Sequence, residues 1–117
     1  MELLTVRHEL EGNAAVVRAR GEIDSSTVGE LGSHLTAALD LAATGQAQLI
    51  IIDLQAVTFF GSAGMNAVLD CHKKGKASGT PVRLVASDAH VVRPIEVTKL
   101  DSILDIYPTF EQALRGR

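Results

Sequence analysis

Six consecutive residues, Leu49-Ile50-Ile51-Ile52-Asp53-Leu54, constrain the fold more than any other part of the chain. The run has no polar–apolar alternation, so it does not read as a strand with one wet face. A short, branched apolar run suits a central parallel strand covered on both faces, and with it an α/β layered fold.

The remaining segments fit around that strand. Leu4, Val6 and His8 alternate with Thr5, Arg7 and Glu9, Glu11-Gly12-Asn13 makes a turn, and Ala14 to Arg20 resumes an extended pattern. A hairpin is the simplest joining. After Gly21-Glu22-Ile23-Asp24, any of Asp24, Ser25 or Ser26 suits a helix cap, and Thr27 with Glu30 has capping-box spacing. Val28, Leu31, Leu35, Ala38, Leu39 and Ala42 recur at helical spacing, and Gly45 marks the end. A second helix is expected from Ser62 to about Lys76, and a short buried strand from Val82 to Ala86. A third helix, capped by Ser87 or Asp88, is expected to reach about Lys99, with Pro94 kinking or confining it. A final edge strand includes Ile103, Leu104 and Ile106, and Thr109 with Gln112 opens a last helix. The expectation is one α/β domain over 1–117, a mixed four- to five-stranded sheet with about four helices packed against it.

Charge narrows the function classes. Of 117 residues, 46% are hydrophobic and 21% charged, with a formal net charge of -3. That balance speaks against disorder and against direct nucleic-acid binding, which wants clustered Lys and Arg. The one dense basic group, His72 to Lys76, reads as a solvated helix C-terminus. Cys71 is the single cysteine, so no intramolecular disulfide is expected and a packing role suits it. No apolar run approaches the length of a membrane span, so no membrane insertion is expected. The N-terminus lacks the basic-then-apolar pattern of a signal peptide, which makes the cytoplasm the expected location.

The informative stretch runs from Asp53 to Gly64, leaving the buried strand and entering a helix. A serine at position 62 stands at or beside the helix N-cap, where free amides and the helix dipole favour negative charge. Gly61, Ala63 and Gly64 leave the backbone approachable. From pattern alone, Ser62 also reads simply as a cap. Enzymatic motifs are missing: position 60 is Phe, which breaks Gly-x-Ser-x-Gly, and neither phosphate-loop nor dinucleotide glycine patterns occur. His8, His34, His72 and His90 are scattered without metal-ligand spacing, so neither a metal nor a cofactor is expected. Asp24 and Asp53 both read as strand ends, and their approach in space would allow acid–base work; capping and loop polarity explain each alone.

Taken in order, these pieces resemble the STAS domain family, the fold of bacterial anti-sigma factor antagonists and of sulfate-transporter tails. The resemblance rests on Gly21-Glu22-Ile23-Asp24, on Ile52-Asp53-Leu54 with Val57 and Phe59, and on Ser62-Ala63-Gly64 opening a helix. It continues through Ile106-Tyr107-Pro108-Thr109 and Glu111-Gln112-Ala113-Leu114. It implies a non-enzymatic protein that binds an anti-sigma factor, itself a serine kinase of the GHKL ATPase type, while unphosphorylated. Phosphorylation releases it and a PP2C-like phosphatase resets it. The family's phosphoacceptor matches Ser62, and its strand-end aspartate matches Asp24. The partner-binding surface implied is Asp24, Ser25, Phe60, Gly61, Ser62, Ala63, Gly64 and Met65. Where the family loop usually carries Asp before the serine, this chain has Gly61. The alternative is a STAS binding module that is not phosphorylated and acts as a scaffold or sensor component. Self-association into a homodimer through the Leu4-Val6-His8 edge stays open.

Overall fold

In the computed structural model, which describes residues 3–117, the chain begins with the expected hairpin. Strand β1 (Leu4–Glu11) runs antiparallel to β2 (Ala14–Ile23), with Glu11 opposite Ala14 and Gly12 at φ +61° in the turn. Helix α1 (Val28–Ala43) then crosses to the central strand β3 (Leu49–Phe60). Helix α2 (Ser62–Ala77) leads to β4 (Val82–Val85), and α3 (Ala89–Val97) leads through a 3-10 turn at Leu100–Ser102 to β5 (Asp105–Tyr107). Helix α4 (Phe110–Arg115) closes the chain. The sheet order is β1-β2-β3-β4-β5, and every pairing after the first is parallel.

The apolar run behaves as its composition dictates. Ile50, Ile52 and Leu54 join a core with Leu31, Leu35 and Ala38 of α1, Val68 and Cys71 of α2, and Val91 and Ile95 of α3. Leu49 and Ile51 face the other way, with Ala14, Val16 and Val85, under Tyr107, Phe110 and Ala113. Successive isoleucines therefore serve opposite layers, and both layers exclude water. Burial also holds the Cys71 thiol protonated, its pKa pushed up to about 12.

Several local expectations change. The central strand does not stop near Leu54 but runs twelve residues to Phe60. Register shifts opposite Arg18–Arg20 and Gly21–Glu22 each place one extra residue in β3, and these bulges break the inward–outward alternation. Asp53 is therefore a mid-strand residue opposite Arg18, while Asp24 follows Ile23, which lies opposite Phe60. Seven strand residues separate the two positions, roughly 23 Å, so the carboxylates form no pair. Pro94 neither ends nor splits α3; the helix passes through it and stops at Val97, where the Thr98 amide and hydroxyl both donate to the Pro94 carbonyl. The last edge strand starts at Asp105, leaving Ile103 exposed and Leu104 buried ahead of it. His8 and His34, far apart in sequence, meet with their Nδ1 atoms 2.7 Å apart. In the basic stretch of α2, Lys74 pairs with Asp70 at 2.9 Å.

Candidate functional site

Strands β2 and β3 finish side by side, and the two loops that leave them touch. The Gly61 amide donates to the Ile23 carbonyl at 3.0 Å, so Asp24 and Ser62 follow residues already bonded to each other. Two glycines make the approach close. A Cβ on Gly64 would stand 2.7 Å from Ile23 Cγ2 and 2.9 Å from Phe60 Cε1. The bare backbone at 64 therefore lets the first turn of α2 lie directly on the strand ends. Gly61 has φ -86°, which any residue adopts, but a Cβ there would come 3.1 Å from the Phe59 ring.

Gly61 is the N-cap of α2, and Ser62 is the first helical residue. No side chain caps this helix and no acidic residue lies in its first turn. The leading amides and the positive end of the dipole therefore have no counter-charge within their own turn. The Ser62 side chain is exposed and, among the described residues, makes no hydrogen bond. Capping, the simple reading of this serine, is thus not what it does.

Beside it, Asp24 organises a tight turn. Its Oδ1 accepts from the Ser26 amide at 2.8 Å, the Ser26 hydroxyl at 2.6 Å and the Thr27 amide at 3.2 Å. The hydrogen bonds from the Ser26 hydroxyl, then from its amide, hold the Asp24 carboxyl below its ordinary pKa. The Thr27 hydroxyl accepts from the Asp24 amide at 3.0 Å and donates to the Glu22 carbonyl at 2.8 Å. Asp24 is therefore a turn-former ahead of α1, whose N-cap Thr27 makes no side-chain cap bond. Ser25 is exposed on that turn.

The residues expected to dock a partner divide into two sets. The exposed Ser25 and Ser62, and the partly covered Asp24, Gly61 and Ala63, lie at the surface. Phe60, Gly64 and Met65 point inward: Phe60 is 3% and Met65 9% exposed, and the Thr98 hydroxyl lies 3.8 Å from the Met65 sulfur. These three set the position of the loop and do not present themselves to a partner. Phe59, by contrast, is 50% exposed with its ring over Gly61, an apolar contact point that was not among the residues expected to dock a partner. In the sequence it counted only as part of the apolar continuation toward Gly61 and of the family resemblance.

The STAS domain model matches residues 6–113. The anti-sigma-F factor antagonist RsfA of Mycobacterium tuberculosis is 29% identical over 110 residues, covering 94% of this chain and 83% of the relative. The crystal structure of an anti-sigma factor antagonist from Mycobacterium paratuberculosis superposes with a TM-score of 0.86 at 33% identity, covering 97% of this chain and 92% of that one. The phosphorylated form of the Bacillus cell fate determinant SpoIIAA shares the fold, with a TM-score of 0.70 at 21% identity, over 97% of this chain and 100% of that one. Among the described residues, no helix is long and apolar enough to cross a membrane.

Proposed function

This chain belongs to the STAS domain family, and from that premise we propose that it is an anti-sigma factor antagonist that changes partners through phosphorylation of Ser62. Unphosphorylated, it binds an anti-sigma factor that is also a serine kinase of the GHKL ATPase type. The kinase transfers the γ-phosphoryl group of ATP to Ser62 Oγ, with loss of the hydroxyl proton and release of ADP, and the complex parts. A PP2C-like phosphatase hydrolyses the phosphoester and restores the docking form. The chain supplies an acceptor and a surface, not catalysis, and acts in the cytoplasm.

The observation that carries this reading is the unbonded, exposed Ser62 hydroxyl on the first residue of α2. A phosphate there adds about -1.5 to -2 charges. The open amides of the helix start stabilise it, so the fold has no reason to change. The docked partner has every reason to leave. It would bury that charge beside the ionised Asp24 turn and against the Phe59 ring, at a penalty of several kcal/mol, and about 1.4 kcal/mol is already tenfold in affinity.

Gly61 supports a second reading, a STAS binding module that is not phosphorylated. Where the family loop carries a carboxylate, the Phe59 ring lies against that flank instead, and a kinase loses one recognition group. Titration of the partner kinase with Ser62→Asp and Ser62→Ala separates the two. The switch predicts that Ser62→Asp loses binding while Ser62→Ala binds and is no longer released by ATP. Full affinity in Ser62→Asp, or ATP-driven release of Ser62→Ala, contradicts it.

A further inference from the structure

The sheet face opposite α1, α2 and α3 is only partly roofed. Helix α4 packs over β3, β4 and β5, so the β1 side and the C-terminal half of β2 lie open. A cleft of about 390 Å³ is sunk there, lined chiefly by Thr5, Arg7, Arg18, Arg20, Asp53 and Gln55. Its hollow coincides with the first β3 bulge, where Arg18 pairs with Asp53 but Arg20 with Ala56.

Three arginines share this face, and they are not equivalent. Arg18 is committed: it bonds Glu9 at 2.9 Å and Glu11 at 2.5 Å, lies 3.6 Å from Asp53, and places its guanidinium 4.9 Å from the Phe110 ring centre. Asp53 is committed in turn, its Oδ1 accepting from the Gln55 amide at 3.0 Å. Arg7 and Arg20 are exposed, and among the described residues neither guanidinium has an ion pair or hydrogen bond. The strand register puts Arg7 opposite Arg18 and Arg20 opposite Thr5. Arg7 and Arg20 are therefore diagonal neighbours, about 7–8 Å apart at the backbone. Two free planar forks on one face of a concave surface match the geometry of a carboxylate or phosphate. The volume falls within the range of small-molecule sites, about 300–1,000 Å³, and a concave bulged floor suits a compact ligand better than an extended chain.

We propose that this cleft binds a small, multiply charged anion through Arg7 and Arg20, at a site separate from the Ser62 loop. The shared chemistry is a pair of negative charges, carried by one phosphate group or by two carboxylates.

Backbone and guanidinium NMR titrations of the full chain in chloride buffer, with pyrophosphate in one arm and citrate in the other, test it. The expected result is saturable shifts at Thr5, Arg7, Arg20, Gln55 and Ala56 with a Kd of about 1 mM or tighter in at least one arm. The arm that binds identifies phosphate or carboxylate as the preferred group. Arg7→Gln and Arg20→Gln should each weaken binding roughly tenfold or more, with the thermal midpoint unchanged. Ser62→Asp should leave binding as it was. Two results overturn the proposal: no saturation in either arm, or equal shifts at Arg93 and Arg115.

Discussion

Ser62 and Thr109 stand one step apart in helix register, and their roles differ accordingly. Thr109 is the N-cap of α4 and its hydroxyl accepts from the Gln112 amide at 3.1 Å, whereas Ser62 is inside α2 with a free hydroxyl. Thr109→Ala should therefore lose about 1 kcal/mol, and Ser62→Ala should stay within about 0.5 kcal/mol of the parent, both read by urea unfolding. An equal loss in the two would mean that Ser62 caps after all. Asp24 gives a pH prediction at the same scale. Its folded pKa lies below the ordinary 3.8, so its carboxylate contributes stability that is complete above 3.8 and disappears as pH falls through the lower folded value. NMR titration should place the Asp24 midpoint below 3.8, and Ser26→Ala should move it upward. Spacing identified Ser62 and Asp24 as neighbours of a helix start, but one residue decides between cap and first turn, and periodicity does not resolve one residue.

At the scale of elements, glycines of like appearance in the sequence have opposite consequences. In α2, a Cβ on Gly75 would meet the Thr80 carbonyl oxygen at 2.7 Å and Val82 Cγ2 at 2.6 Å, so Gly75→Ala drives the helix off β4. Alanine gains about 1 kcal/mol in helix propensity there, but overpacking against a backbone atom costs about 1–3 kcal/mol and more when it cannot shift, so net destabilisation is expected. In α1, Gly29 has nothing within 4 Å of the added carbon, and Gly29→Ala should stabilise by about 0.5–1 kcal/mol. Urea midpoints moving in opposite directions would bear this out. The elements themselves were largely readable: the 49–54 run announced a strand buried on both faces, and the helical spacing of Leu31, Leu35 and Ala38 announced a buried stripe. Val57, Phe59 and Phe60 continue the apolar character toward Gly61, but which residues of this stretch face water was not readable, because the two bulges that decide it arise only on pairing with β2. The exposure of Phe59 and the convergence of Arg7 with Arg20 were hidden for the same reason, since both depend on register across strands.

For the molecule as a whole, the two layers packed on either side of β3 predict cooperative unfolding, and Cys71 offers a probe of it. Only 2% exposed and with its thiol pKa pushed up to about 12, it should resist a thiol reagent at pH 8 in the native state and react at the rate of global opening. Fast labelling under native conditions would show that α2 opens separately. The same packing bears on the proposed switch: a domain packed on both faces gives Ser62 a fixed platform, so a phosphate placed there would alter a surface and leave the core as it is. The most direct test isolates the protein with its bound partner from its own cells, adds ATP and Mg²⁺, and maps phosphorylation by mass spectrometry as the complex dissociates. The account predicts dissociation in step with a single phosphate on Ser62. Dissociation with Ser62 unmodified, or a complex that persists with Ser62 phosphorylated, would contradict it.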